Sequence, residues 1–239
     1  MKNNVMILTG AGQIGMAIAR RMGYGMKIVI GDKLKDNADA IADIMNKAGF
    51  DAVPVVMDLS SRKSVLSMID EARRYGDIRM LVNAAGVTIS SQSGHRMPAF
   101  GAEIDEQLAM TPTEDLLKLD VLQPANIRDT LHAYQLAKRC NVKRVMYESV
   151  RWGRRGARIN SISPGIIVTP LAIDEFNGLR GDFYKNMFAK CPAGRPGTAD
   201  EVANVAELLM SDRGAFITGS DFLVDGGATA SYFYGPLRS

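Results

Sequence analysis

The sequence predicts an α/β fold of three layers, a doubly wound parallel sheet between two layers of helices. Short apolar runs alternate with longer segments of helical period, as successive βα units do. The runs are continuous, as strands covered on both faces are, and the first ends in a glycine-rich turn that opens a helix. Residues 5–8 (VMIL) form the first strand, and Ile14, Ala17, Ile18 and Met22 share one face of the helix after it. The strand KIVI at 27–30 precedes Ala38, Ile41, Ala42 and Met45 at i, i+3, i+4 and i+7. AVPVVM at 52–57 precedes Val65, Met68, Ile69 and Ala72 at the same spacing. MLVNAAG at 80–86 makes a fourth strand, VTIS at 87–90 a fifth, ARINSIS at 157–163 a sixth and DFLVD at 221–225 a seventh. Helices are expected at 142–150 and 202–210. Thr198 with Glu201, and Thr111 with Glu114 behind Pro112, have the form of helix-starting capping boxes. Residues 171–197, rich in Gly and Pro but holding Phe176, Phe183, Tyr184, Met187 and Phe188, read as a long irregular lid.

One junction breaks the pattern. Adjacent parallel strands need a crossover of a dozen residues or more, yet the fourth strand ends at Gly86 and the fifth begins at Val87. Either VTIS is not a neighbouring parallel strand or the crossover helix between strands four and five is absent, and the second reading is the one adopted.

A chain of 239 residues fits one domain of this type, residues 1–239. With 46% hydrophobic and 23% charged residues it is neither disordered nor membrane-spanning in composition. Its net charge of +3 comes from dispersed Lys and Arg, which argues against nucleic-acid and membrane partners. The first apolar run is too short for a signal segment, and two cysteines outside any metal or disulfide pattern suit a reducing compartment without a metal site. A cytoplasmic protein is expected.

The segment TGAGQIG sets Gly10, Gly12 and Gly15 in G-x-G-x-x-G spacing between the first strand and first helix. Gly10 permits a tight turn, Gly12 a close approach of backbone to a pyrophosphate, and Gly15 close helix packing. The helix N-terminus adds N–H donors and positive potential, so the motif marks a Rossmann-type dinucleotide site. Asp32, at the end of the second strand, stands where a carboxylate accepts from adenosine ribose hydroxyls and disfavours a 2′-phosphate, so NAD is expected ahead of NADP. Lys33 and Lys35 soften that discrimination. Tyr134 and Lys138 are four apart and share a helix face, where an ammonium favours phenolate.

With MDLS at 57–60, NAAG at 83–86, Tyr134-x-x-x-Lys138, SPGIIVTP at 163–170 and DGG at 225–227, the chain resembles the short-chain dehydrogenase/reductase family over almost its whole length. The resemblance implies hydride transfer between a nicotinamide dinucleotide and an alcohol/ketone pair, with a small-molecule substrate and a homo-oligomer, dimer or tetramer. It implies cofactor contacts from Gly10, Gly12, Gln13, Ile14, Gly15, Asp32, Asp58, Leu59, Asn83, Ala84, Ala85 and Gly86, and from Tyr134, Lys138, Pro164, Gly165, Ile167 and Thr169. Tyr134 would exchange the proton, Lys138 would hold the nicotinamide ribose, and Ser91, with Ser93 as runner-up, would hold the substrate oxygen. His95 and His132 read as pocket or packing residues.

Three departures stand out: a glycine loop one residue short, a long insertion at 96–126 with a helix in TPTEDLLKLD, and no helix between strands four and five. The insertion is expected to border the substrate mouth, and the missing helix would carry the family's catalytic asparagine and much of its dimer interface. An oxidoreductase of a secondary alcohol, a hydroxysteroid or other bulky apolar alcohol, is the leading expectation. A silent dinucleotide-binding or redox-sensing protein is the alternative, and a Rossmann methyltransferase a third that leaves Tyr134 and Lys138 without use.

Overall fold

The computed structural model describes residues 3–85 and 90–238. The chain divides into two compact units. The first contains β1 (Asn3–Thr9), α1 (Gln13–Met22), β2 (Lys27–Asp32), α2 (Lys35–Lys47), β3 (Asp51–Val56), α3 (Arg62–Tyr75), β4 (Gly76–Asn83) and the later helix α9 (Ala199–Met210). Its four strands are parallel in the order β3-β2-β1-β4, so the winding reverses between β1 and β4. The carboxyl ends of the two strands at such a reversal leave a crevice, the usual ligand position in open α/β sheets. Val5, Met6, Ile7 and Leu8 of β1 and Ile28, Val29 and Ile30 of β2 are buried, which is why both runs are apolar without alternation. On one face Val5, Ile7 and Val29 pack with Met57 and with Met68 and Ala72 of α3. The positions read as helix stripes on α2 and α3 are the buried or half-buried ones. β4 differs: its residues alternate in exposure and Leu81 is half exposed, as expected of the end strand in the sheet that the described residues of this unit form.

The second unit contains α4 (Gln92–His95), α5 (Ala102–Met110), α6 (Thr130–Gly153), β5 (Ser161–Pro164), α7 (Pro170–Asn177), α8 (Gly181–Ala189), β6 (Asp221–Val224) and α10 (Ala228–Tyr234). β5 and β6 pair in parallel. The expected fifth strand, VTIS, lies largely outside the described residues. The expected helix at 142–150 is the second half of α6, whose start is capped by Asp129 accepting from the His132 amide at 2.7 Å.

Two expectations are corrected. TPTEDLLKLD is not an α-helix: Thr111 closes α5, and a turn leads into three short 3-10 turns at Leu116–Lys118, Asp120–Leu122 and Pro124–Asn126. Leu116, Leu119 and Leu122 recur every three residues, the 3-10 period, and with Val121 and Ile127 they close over Leu108, Leu136 and Cys140. The stretch 171–197 is not irregular, since most of it forms α7 and α8. Gly178 caps the end of α7 and Gly181 is the first residue of α8, while Phe176, Tyr184 and Phe188 meet across the join, Phe176 edge-on to the other two at 5.1 and 5.4 Å. No helix among the described residues is long and apolar enough to cross a membrane.

Candidate functional site

In the first unit the site is built on the reversal crevice. β1 ends at Thr9 and the chain turns at Gly10, with φ +88°. A Cβ there would lie 2.3 Å from Ala85 Cα, so only glycine lets the turn meet the chain leaving β4. The turn is tied at three points: the Gly10 amide donates to Gly31 O at 2.7 Å, the Ala84 amide to Thr9 O at 2.8 Å, and Thr9 Oγ1 to Asn83 Oδ1 at 2.7 Å. Gly15 is buried, and a side chain there would press on Leu8 and Ala84. Gly12 differs, for it caps α1 in extended backbone and a Cβ on it would meet nothing within 4 Å. Exposed Gln13 and half-buried Ile14 follow in the first turn of α1, where backbone N–H groups lack helical acceptors.

Asp32 closes β2 against this turn, Oδ2 accepting from the Ala11 amide at 3.0 Å and Oδ1 from the Leu34 amide at 2.9 Å. Each carboxylate oxygen retains capacity for a further donor, so the group still suits ribose hydroxyls. Lys33 is drawn to Asp58 at 3.1 Å, and Lys35 to Asp39. Asp58 accepts from the Ser60 hydroxyl and amide as well as Lys33, and these hold its carboxyl at about 2. Leu59 beside it is exposed. The geometry thus brings together Gly10, Gly12, Gly15, Asn83, Ala84 and Ala85 around the turn, with Asp32 bonded to it; Gly86 lies outside the described residues.

In the second unit β5 ends at Pro164. Gly165 follows with its amide on Val224 O at 2.9 Å, and a Cβ on it would lie 2.7 Å from Asp225 Cα. Ile167 is buried and bridges to Gly197, and Thr169 caps α7 by accepting from the Ala172 amide at 3.2 Å. Asp225 of the DGG segment accepts from the amides of Gly227 and Thr229, which shapes the entry to α10.

Tyr134 and Lys138 lie on α6, one turn apart, with Lys138 Nζ 4.8 Å from the centroid of the Tyr134 ring. Lys138 is only 6% exposed, and burial lowers its ammonium to about 8 from 10.5. The Ser91 hydroxyl caps α4, accepting from the Ser93 amide at 3.3 Å. α4 packs on α6 at the lysine, where a Cβ on Gly94 would come within 3.1 Å of Lys138 Cβ.

Because the folded-state value of Lys138 is depressed, the unfolded chain binds more protons between about pH 8 and 10.5, and stability rises with pH there. Replacing Lys138 by Met is therefore expected to raise the melting temperature at pH 7. The gap over the parent should narrow as melting is repeated from pH 8 towards pH 10.

The sequence reads His95 as a pocket or packing residue but does not disclose its partner. Its Nε2 lies 2.6 Å from Asp221 Oδ2, and Asp221 also accepts from the hydroxyls of Ser161 and Ser163. Burial pushes the Asp221 carboxyl up, but the bonds from His95, Ser161 and Ser163 outweigh it and hold the group below its ordinary value. His95 therefore anchors the helix capped by Ser91 to β6. The one available signal was Ser161 and Ser163, two polar residues on one face of a strand otherwise read as core. His132, the other histidine without an assigned role, accepts at Nδ1 from the Arg128 amide at 3.2 Å.

A parallel sheet with a glycine turn at its reversal and an Asp at the end of the second strand defines a Rossmann-type dinucleotide fold. The short chain dehydrogenase profile matches residues 4–106 and the enoyl-(acyl carrier protein) reductase profile residues 100–229. The chain is 32% identical to the short-chain dehydrogenase/reductase bsc3 of Alternaria brassicicola over 96% of this chain and 97% of that one. It is 28% identical to the 7alpha-hydroxysteroid dehydrogenase of Bacteroides fragilis over 95% of each. The crystal structure of gox2181 matches with a TM-score of 0.72 at 23% identity, over 96% of this chain and 97% of that one. The chain belongs to the short-chain dehydrogenase/reductase family, oxidoreductases that act on CH–OH groups with a nicotinamide dinucleotide. The alignment to the Alternaria protein runs over 267 positions, more than this chain has residues, so that relative carries segments with no counterpart here.

Proposed function

We propose that this chain interconverts a secondary alcohol and its ketone with NAD(H). The observation that carries the reading is the buried Lys138 ammonium set against the ring of Tyr134 on α6. A bound nicotinamide supplies or accepts the hydride. Tyr134 carries the proton to or from the substrate oxygen, and Ser91 holds that oxygen by hydrogen bonding. Lys138 favours the phenolate electrostatically when Tyr134 has given its proton, and offers donors to the nicotinamide ribose.

Gly12 and the N-terminus of α1 take the pyrophosphate, and Asn83, Ala84 and Ala85 line the cofactor cleft. Asp58 and Leu59 border the adenine, and Pro164, Gly165, Ile167 and Thr169 hold the nicotinamide end. The fit rests on the open space at Gly12 and on the Asp32 carboxylate beside the turn, which accepts from ribose hydroxyls and repels a 2′-phosphate. Lys33 and Lys35, each held by a carboxylate of its own, do little to offset that repulsion. The aromatic cluster of α7 and α8 and the hydroxysteroid relative favour a bulky alcohol with an apolar body.

One observation favours a second reading, a protein that binds the dinucleotide without turnover: fewer than a dozen residues separate β4 from α4, too few for a crossover helix. Oxidation of NADH with ketones from small acyclic to steroid-sized separates the two. Turnover is expected, with NADH favoured over NADPH by roughly tenfold or more and that preference lost in Asp32→Ser. NADH binding with no turnover of any ketone establishes the second reading.

A further inference from the structure

Among the described residues only two buried side-chain polar atoms lack a hydrogen-bond partner, Ser90 Oγ and Arg96 Nε. They bracket α4, the one-turn helix capped by Ser91. Buried polar groups are so regularly satisfied that two orphans around one turn single that turn out among the described residues.

Arg96 is the stronger of the two. Its guanidinium carbon lies 4.2 Å from the centroid of the Tyr232 ring on α10, which fixes the plane of the group. Nη2 donates to Ser93 Oγ at 2.9 Å, so that neighbour supplies a neutral acceptor and no charge. No carboxylate among the described residues lies within ion-pairing distance of Arg96, although Arg139 on the contacting helix α6 binds Asp105 through two nitrogens. The carboxylates nearby in the fold are committed elsewhere: Asp221 to His95 and two serines, and Asp225 to the amides at the start of α10. α10 itself has no acidic side chain. A guanidinium held flat, half-buried and without a counter-ion is arranged for an anion, and its remaining N–H groups, at Nη1 and Nη2, suit a carboxylate. One fixed positive charge and one neutral hydroxyl balance a monoanion better than a phosphate.

We propose that Arg96, braced by Tyr232 and Ser93, seats a carboxylate of the substrate, so that the alcohol or ketone handled by this protein is a hydroxy or keto acid with an apolar body. Ser91 and Arg96 cap opposite ends of α4, about 7–8 Å of helix axis apart. The carboxylate therefore lies several bonds from the reacting carbon, and α-hydroxy acids are not the substrates. The substrate class rests on the oxidoreductase reading above; the anion site does not.

The test uses the full chain and a matched pair of probes, benzoate and benzamide, titrated calorimetrically at low salt. Benzoate is expected to bind at least about tenfold more tightly, a preference that falls to near unity in Arg96→Gln and returns in part in Arg96→Lys. Equal binding of the two probes by the parent protein, or binding of neither, overturns the proposal with no variant needed. A benzoate preference that survives Arg96→Gln also overturns it. In the turnover arm, a cyclic keto acid should show a KM about tenfold or more below that of its methyl ester. Turnover of keto acid and ester with equal KM removes the acid substrate and leaves the oxidoreductase. Benzoate preference with no ketone turned over keeps the anion site and removes the oxidoreductase.

Discussion

Replacing Tyr134 by Phe is expected to lower kcat for ketone reduction by about 10²–10⁴-fold, the range a general acid contributes, with NADH affinity little changed. The asymmetry follows from what the substitution removes. The ring that lies 4.8 Å from Lys138 Nζ is kept, so the packing of α6 and the burial of the ammonium are kept with it. The hydroxyl is lost, and with it the group proposed to exchange the proton with the substrate oxygen. Single-turnover oxidation of NADH measures the first quantity and fluorescence titration of NADH the second. The parent enzyme should also slow as pH rises past about 8, because Lys138 loses the charge that favours the phenolate there. Near-parental turnover by the Phe variant would place the proton on another group and end the assignment to Tyr134.

The difference between Tyr134 and His95 shows what a sequence makes legible. Tyr134 and Lys138 are neighbours through helix geometry alone, since residues four apart share a face whatever surrounds them. The glycine turn is legible for a similar reason: a strand, three spaced glycines and a helix are consecutive. Asp32 follows at the end of the next strand, and parallel pairing in register carries it to the turn. The bond of His95 to Asp221 joins residues 126 positions apart and depends on how α4 meets β6, which no local pattern encodes. Composition misleads at 171–197 because glycines that bound helices look like glycines that forbid them; Gly178 caps the end of α7 and Gly181 opens α8. At 111–120 the capping residues are present, but the apolar period of three that runs through Leu116, Leu119 and Leu122 matches 3-10 turns, which pack these leucines, partly buried, against Leu108 and Leu136.

The second large effect separates two glycines of the same turn. Gly10→Ala places a methyl group 2.3 Å from Ala85 Cα at a φ of +88°, where an L side chain is strained even in open space. The strain and the overlap together should cost roughly 2–5 kcal/mol, because the obstacle is backbone held by the Ala84 to Thr9 and Thr9 to Asn83 bonds and cannot rotate aside. In a chain of this size that corresponds to a fall in melting temperature of roughly 5–15 °C. Gly12→Ala meets no atom within 4 Å and keeps a backbone conformation any residue adopts, so its stability should change by less than about 1 kcal/mol. The same methyl group stands where the proposed site brings the pyrophosphate to the first turn of α1, and NADH affinity should fall about tenfold or more. Melting curves and NADH titration on the two variants read the two effects independently. A Gly12→Ala protein that binds NADH as tightly as the parent would mean that the dinucleotide does not lie over this helix start, since no fold defect is available to explain the result otherwise.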